Sequence, residues 1–162
     1  MNRLGVDIGG VIIDRANDQT DTSFFGDNYL STTATPGVFE ALRDIRDQVF
    51  GDNIWLVSKC RYKTQERTLR WLAHNDLYDR TGIIPENVRF TTTRIGKVAI
   101  ALDLGLTHFV DDRLDVLGFL KDKVSNLYLF NPDMGIVEGH EEQLDDVIVV
   151  PNWETLQQLL TD

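Results

Sequence analysis

Short apolar runs alternate with segments of helical periodicity along this chain, and that alternation constrains the fold more than any other feature. The runs are rich in Val, Ile and Leu, and the first occupies residues 3–8. Such runs are typical of strands that are covered on both faces. Helical segments of about 10–15 residues between the runs favour βαβ units. The sequence therefore predicts an α/β protein with a mainly parallel sheet.

The boundaries follow from where each periodicity stops. The predicted strands are residues 3–8, 53–57, 88–90, 107–110, 127–130 and, for a sixth strand, 147–150. Three predicted helices occupy residues 64–75, 96–104 and 114–121. Another begins at Thr35-Pro36 with Thr35 as its cap, and a last helix is capped by Asn152. The helix at 96–104 is expected to bury Ile95, Val98, Ala99 and Leu102, and the last helix to bury Trp153, Leu156, Leu159 and Leu160. The stretch 14–35 is predicted as a loop or small flap, 75–85 as mostly connection, and 131–146 as a loop. Together these elements predict a three-layer α/β/α, Rossmann-like fold with five or six strands.

Size and charge limit both the domain count and the partners. The 162 residues are predicted to form one domain, 1–162, without a separate cap domain. The net charge of −10 argues against a nucleic-acid partner, because neutralising phosphates requires clustered Lys and Arg. No apolar stretch approaches the roughly 20 residues that span a bilayer, so no membrane partner is expected. The single cysteine, Cys60, permits no internal disulfide, and we therefore expect a cytoplasmic protein.

Polar side chains follow the apolar runs at the points where the strands should end. Asp7 closes the first run and precedes two glycines, Ser58 closes the second, and Asp111 with Asp112 closes the fourth. In an open parallel sheet the carboxyl ends of the strands meet at one crevice, where ligands bind. Lys97 stands ahead of the fourth strand. The sequence therefore predicts that these groups lie close together in space.

Asp7 and Ser58 each have a chemical and a structural interpretation. An Asp at a strand end can act as a nucleophile that forms a covalent aspartyl intermediate. The alternative is that Asp7 only fixes the following turn through its side chain. The Ser58 hydroxyl can hold a phosphoryl oxygen, although serine at a strand end is also common in turns.

Lys97 and the acidic pair have alternatives of the same kind. Lys97 lies in the first turn of its predicted helix, where the dipole disfavours a positive charge, so either it is needed there or it is a solvated surface lysine. Asp111 and Asp112, with Asp115 close behind, repel one another unless a cation neutralises them. Oxygen ligands of this kind suit Mg²⁺. The alternative for Asp112 is a cap on the helix that begins near Arg113.

Taken in order, these residues resemble the four motifs of the haloacid dehalogenase-like (HAD) superfamily of phosphotransferases and hydrolases. The matching segments are VDIGGVI with Asp7, WLVSK with Ser58, GKVAIAL with Lys97, and FVDDRLD with Asp111 and Asp112. The resemblance covers residues 3–115, which is most of the chain.

The resemblance implies a Mg²⁺-dependent phosphatase or phosphohydrolase that forms an aspartyl-phosphate. The implied catalytic residues are Asp7 as nucleophile, Ser58 and Lys97. The implied metal site consists of Asp7, the backbone carbonyl of Gly9, Asp111 and Asp112, with Asp112 or Asp115 steadying the water shell of the metal. The implied phosphate-binding residues are Ser58, Lys59, Lys97 and Gly10. The implied substrate is a phosphorylated small molecule or a phosphoprotein.

The first motif departs from that of active family phosphatases, which carry a second Asp two residues after the nucleophile. Here that position is Gly9, so the motif reads DxGG in place of DxD. The missing Asp is a general acid and base, a role worth about 10²–10⁴-fold in rate. Its loss is compatible with a slow phosphatase, with an enzyme for acyl phosphates, or with a non-catalytic ligand-binding protein. Asp14 and Asp18 are possible substitutes on the predicted flap.

The same departure leaves a third function open. Hydrolysis of a carbon–halogen bond needs no acid on the leaving halide, so Gly9 would be harmless in a haloacid dehalogenase. The acidic pair and the missing cap both favour the phosphohydrolase instead, because the pair suits a metal and a cap would be needed to shield a small haloacid. A capless site is open, which suits a large substrate or a cap supplied by a partner subunit.

Overall fold

The computed structural model describes residues 1–15, 24 and 26–162 of the chain, and its centre is a six-stranded parallel sheet. The strands are β1 (Leu4–Asp7), β2 (Ile54–Lys59), β3 (Val88–Thr91), β4 (His108–Asp111), β5 (Asn126–Phe130) and β6 (Val147–Val150). They are ordered β3-β2-β1-β4-β5-β6, and all neighbouring pairs run parallel. The prediction of a parallel α/β sheet is confirmed.

Seven helices connect or follow these strands in the described part of the chain. They are α1 (Val38–Ile45), α2 (Tyr62–His74), α3 (Leu77–Thr81), α4 (Gly96–Leu104), α5 (Leu114–Leu120), α6 (Met134–Gly139) and α7 (Trp153–Thr161). A π-helical turn, Arg46–Phe50, extends α1, and 3-10 turns occupy Tyr29–Ser31, Pro85–Asn87 and Glu141–Leu144. None of these described helices is long and apolar enough to cross a membrane.

The prediction that residues 131–146 are a loop is wrong, and the stretch 75–85, predicted as mostly connection, also contains a short helix. The helix in 75–85 is α3, and the stretch 131–146 contains α6 followed by a 3-10 turn. The predicted loop or flap 14–35 lies partly outside the described residues, and its described part includes the 3-10 turn Tyr29–Ser31. Helices of five and six residues span fewer than two turns, so they leave too few positions for a helical apolar period to show.

Helices cover both faces of the sheet because alternate strand residues point to opposite sides. On β2, Ile54 and Leu56 belong to one buried cluster, while Trp55 and Val57 belong to the other. The first cluster includes side chains of α1, α2, α3 and α7, and the second includes side chains of α4 and α5. The result is the expected three-layer α/β/α arrangement.

The two predicted caps have different outcomes. Asn152 caps α7, since its side chain accepts a hydrogen bond from the Thr155 N–H at 2.9 Å. Thr35 does not cap α1, because the capping position is Gly37 at φ 76° and the helix begins at Val38. The residue before a proline is pushed away from helical backbone angles, so Thr35 stays outside the helix and Gly37 supplies the left-handed turn into it.

Two of the predicted core faces need correction. On α4 the buried residues are Lys97 and Ala101, whereas Ile95 and Leu102 are 61% and 59% exposed. Ala99, also predicted to be buried, is exposed, and Val98 is half-buried. On α7 the leucine at position 159 is 44% exposed, so it does not face the core as predicted. Both misplaced predictions treated apolar character as sufficient evidence of burial.

Candidate functional site

Three neighbouring strands deliver polar side chains to one edge of the sheet. The parallel register pairs Val6 of β1 with Val110 of β4, so the next residues, Asp7 and Asp111, leave adjacent strands at the same level. On the other side of β1, Asp7 pairs with Val57, which immediately precedes Ser58 on β2. This geometry follows from parallel pairing alone, since each strand ends in the same direction.

Lys97 joins two of these carboxylates. Its Nζ lies 3.0 Å from Asp7 Oδ1 and 2.7 Å from Asp111 Oδ2. The lysine is 3% exposed and Asp111 is 0% exposed, so both ion pairs are shielded from water. Buried charges persist only when they are paired and hydrogen-bonded, as these are. The alternative of a solvated surface lysine is therefore wrong.

The start of α4 places Lys97 in this position. Gly96 begins the helix, and a Cβ at that residue would overlap Thr91 Oγ1 at the end of β3. The Gly96 N–H also donates to the Thr93 hydroxyl at 3.1 Å. A glycine here therefore allows α4 to begin close against β3, and the next side chain then reaches the carboxylates.

Burial and mutual repulsion disturb the acidity of the site. Burial raises the pKa of Asp7 to about 6, although Lys97 counteracts it. Burial, together with the charge of Asp7, raises the pKa of Asp111 to about 7. Burial opposes the charge of Lys97, but the two carboxylates outweigh it and raise the pKa of that ammonium group. Lys97 is therefore protonated at neutral pH.

Asp112 completes a cluster that can hold a metal ion. One oxygen from each of Asp7, Asp111 and Asp112 lies within 4.8 Å of the others. Within the described residues, Asp112 Oδ1 is buried without a hydrogen-bond partner, while its Oδ2 lies 3.1 Å from the Arg15 guanidinium. Burial, followed by the charge of Asp111, raises the pKa of the Asp112 carboxyl. An orphaned buried oxygen beside two other carboxylates is the kind of donor set that a hard cation satisfies.

Asp112 does not cap the following helix, so that alternative is wrong. The residue before α5 is Arg113, and no side chain caps this helix end. Instead Asp111 Oδ1 accepts a hydrogen bond from the Arg113 N–H at 3.0 Å. This contact fixes one oxygen of Asp111, while Lys97 fixes the other.

A cleft of about 220 Å³ opens over the buried carboxylates. Its lining includes these predicted site residues: Asp7, Gly9, Ser58, Lys59 and Lys97. Gly10 and Asp112 line a neighbouring cavity of about 510 Å³ instead. Gly10 has φ 81°, and a Cβ there would overlap the Asp112 carboxylate, so the chain passes very close to this carboxylate. The proposed phosphate contacts of Ser58, Lys59 and Gly10 stay predictions.

Three arginines at this edge of the sheet were not identified from the sequence. Arg15, Arg94 and Arg113 line the cleft. Arg94 NH1 and Arg113 Nε lie 3.3 Å and 3.2 Å from the carboxylate of Asp115. Asp115 therefore belongs to an ion-pair group at the rim. Their positions in the sequence could have indicated them, because Arg94 stands three residues before Lys97 and Arg113 directly follows Asp112.

Asp14 and Asp18 are the two residues that the sequence offers in place of the missing general acid. Asp14 lines the neighbouring cavity together with Gly10 and Asp112. Asp18 lies outside the described residues.

Comparisons with known proteins do not identify a family for this chain. No protein-family model matches the chain, and no curated protein matches it. The interpretation of the site therefore depends on the residues themselves.

Proposed function

We propose that the protein is a Mg²⁺-dependent, HAD-like phosphohydrolase in which Asp7 is the nucleophile. The observation that carries the proposal is the contact of one buried ammonium group, Lys97 Nζ, with the carboxylates of both Asp7 and Asp111. An anionic carboxylate that attacks an anionic phosphate meets charge repulsion. Fixed positive charge at the point of attack offsets that repulsion, which is the main source of catalysis in phosphoryl transfer.

The residues present fit a magnesium ion. Asp7, Asp111 and Asp112 offer only oxygen donors, and one oxygen of Asp112 is buried and unpaired among the described residues. These three carboxylates would hold the ion, and the carbonyl of Gly9 is the further ligand predicted from the sequence. When bound, Mg²⁺ would neutralise charge on the phosphoryl group and orient it.

Two covalent steps would carry the phosphoryl group through Asp7 to water. Lys97 holds one oxygen of Asp7 and so fixes the orientation of that carboxylate. An Asp7 oxygen forms a bond to phosphorus, and the bond from phosphorus to the leaving group breaks with its electron pair on the leaving group. Water then cleaves the aspartyl-phosphate, which releases inorganic phosphate and restores the carboxylate. The Ser58 hydroxyl would hold a phosphoryl oxygen during both steps.

Gly9 favours substrates whose leaving group needs no proton. Without a side chain at this position, no residue of the first motif donates a proton to the departing oxygen. The leaving group of an acyl phosphate is a weakly basic carboxylate, so its departure depends less on a general acid than the departure of an alkoxide from an alkyl phosphate does. We therefore propose that acyl phosphates are better substrates than alkyl phosphomonoesters.

The test measures hydrolysis of acetyl phosphate and para-nitrophenyl phosphate with Mg²⁺ and with a chelator. We expect Asp7→Asn to lower the rate by at least about 10³-fold, because removing a nucleophile eliminates the step that depends on it. Asp145→Asn is the control, since it removes the same charge from an exposed position. Equal rates for the Asp7 variant and the unmodified protein would overturn the mechanism.

A non-catalytic phosphate-binding protein is the second candidate, and Gly9 is the observation that favours it. A Cβ at Gly9 meets nothing within 4 Å in the described structure, so the side chain of Gly9→Asp would begin in open space. If the missing acid limits turnover, this variant should gain about 10²–10⁴-fold in the hydrolysis of alkyl phosphates. Phosphate binding by the unmodified protein, with no turnover of any tested phosphate, would favour the second candidate.

A further inference from the structure

We propose that the rim of the cleft holds a second anion-binding subsite, formed by Lys59, Arg94 and Arg113. The natural ligand would then carry a further anionic group, such as a carboxylate or another phosphate, beside the phosphoryl group. The identity of the first group rests on the proposed function. The second subsite rests on the rim residues alone.

The first observation is that two guanidinium groups share one carboxylate. Arg94 NH1 lies 3.3 Å from Asp115 Oδ2, and Arg113 Nε and NH2 lie 3.2 Å and 3.4 Å from its two oxygens. Each guanidinium carries five N–H donors in a planar fork, so one carboxylate leaves most of these donors without an anionic partner. Both arginines line the cleft, with side chains 43% and 40% exposed.

The second observation is the charge balance of the cleft. The cations in its lining are Arg15, Lys59, Arg94, Lys97 and Arg113. The carboxylates that pair with them, or lie between them, are Asp7, Asp111, Asp112 and Asp115. Among the described residues, five cations thus face four carboxylates. A magnesium ion adds two positive charges and a phosphate dianion removes two, so one positive charge remains.

The remaining positive charge lies on the cations at the rim of the cleft. Lys97 is held between Asp7 and Asp111, and Arg15 is paired with Asp112. Within the described part of the chain, the two guanidinium groups share the carboxylate of Asp115, and the exposed Lys59 has no ion pair. A positive surplus at this point is notable in a chain of net charge −10, because the average surface repels anions.

The neighbouring cavity offers no equivalent place. Its volume is about 510 Å³, and its lining combines four carboxylates with two arginines that it shares with the cleft: Asp14, Asp112, Asp115 and Asp133, and Arg15 and Arg113. Carboxylates on several sides repel an anion. A second anionic group would therefore bind in the smaller cleft, close to the site of the first.

The experiment compares two non-hydrolysable ligands by calorimetry in buffer with Mg²⁺. Methylphosphonate carries only the phosphoryl-like group, whereas 3-phosphonopropionate adds a carboxylate on a short linker. We expect the unmodified protein to bind the second ligand about tenfold more tightly, which is typical for one charge-assisted hydrogen-bonding pair. Arg94→Gln should reduce that ratio to about one, and Lys59→Gln should reduce it in part.

Arg43→Gln is the matched control, because it removes one positive charge from an exposed residue of α1, away from the cleft. It should leave the tenfold ratio in place. Equal affinity of the unmodified protein for both ligands would overturn the subsite, as would a ratio that survives Arg94→Gln. Because binding is measured without turnover, a ratio that depends on Arg94 supports the subsite even if hydrolysis is absent. Hydrolysis without any such preference would support the proposed function alone.

Discussion

Lys97 is nearly fully buried, and its charge is maintained by the two carboxylates that it contacts. Burial alone would favour a neutral amine, but Asp7 and Asp111 raise its pKa and keep it protonated. The lysine in turn limits how far burial can raise the pKa values of both carboxyl groups. The protonation states of the two carboxyl groups are therefore coupled through Lys97, which contacts both of them.

Replacing this lysine should show how strongly the three groups depend on one another. We expect Lys97→Met to lower the free energy of unfolding by about 3 kcal/mol or more at pH 8, because two buried carboxylates lose their counter-charge. The loss should be smaller at pH 5. Without the lysine both carboxyl groups bind protons more readily when folded than when unfolded, so acid restores stability. Urea unfolding at the two pH values measures both effects.

The control for this variant is Lys63→Met, which removes an exposed lysine of α2. It should change stability by less than about 0.5 kcal/mol at either pH. A Lys97 variant as stable as the control at pH 8 would show that the buried ion pairs contribute nothing to the fold.

The sequence identifies some residues of the site far better than others. Asp7 and Asp111 are recognisable because each is a charged residue at the end of an otherwise apolar strand. Arg94 and Arg113 lack such a contrast, since they stand in polar loops where a charged residue is expected. Their approach to Asp115 depends on how two loops meet in space, which the spacing along the chain does not contain.

Among the elements, α4 shows why an apolar pattern can fix the bounds of a helix without fixing its buried face. The predicted bounds, 96–104, agree with the structure. Apolar residues occur on all sides of this helix, so several faces are equally suited to the core. The ion pairs of Lys97 settle which face turns inward, and Ile95 and Leu102 are exposed as a result. Here a buried charge determines the orientation of the whole element.

The strands were predictable for a different reason. A strand covered on both faces must be apolar at nearly every position, so its signal is continuous and short. The predicted and observed bounds of the sixth strand are identical, and those of the other strands differ by at most two residues at an end. The short helices α3 and α6 had no comparable signal, because each completes fewer than two turns.

For the whole molecule, strand order determines where the site lies. The chain places β2 and β3 on one side of β1, then crosses to place β4, β5 and β6 on the other side. Ligands bind open α/β sheets at the point where the order reverses, outside the carboxyl ends of the strands. Asp7 and Asp111 end the two strands on either side of that point. The sequence predicted the strands but contained no direct signal for their order.

The buried carboxyl groups of Asp7 and Asp111 make a contribution of definite sign to the pH dependence of stability. The pKa values of Asp7 and Asp111 are raised from 3.8 to about 6 and about 7 in the folded chain. Between these limits the folded state binds more protons than the unfolded state, so stability falls as pH rises. In the absence of a metal ion, this contribution is fully present below the unfolded value and is lost as pH rises through 6 and 7.

A bound cation should reverse that trend, because Mg²⁺ and protons compete for the same oxygens. With Mg²⁺ at about ten times its dissociation constant, we expect a gain of about 1.4 kcal/mol in the free energy of unfolding at pH 8. The gain should become small at pH 5.5, where Asp7 and Asp111 are largely protonated. Urea unfolding with Mg²⁺ or chelator measures it. Asp112→Asn should reduce the gain and the exposed Asp145→Asn should not, whereas equal gains at both pH values would exclude these carboxylates as the binding site.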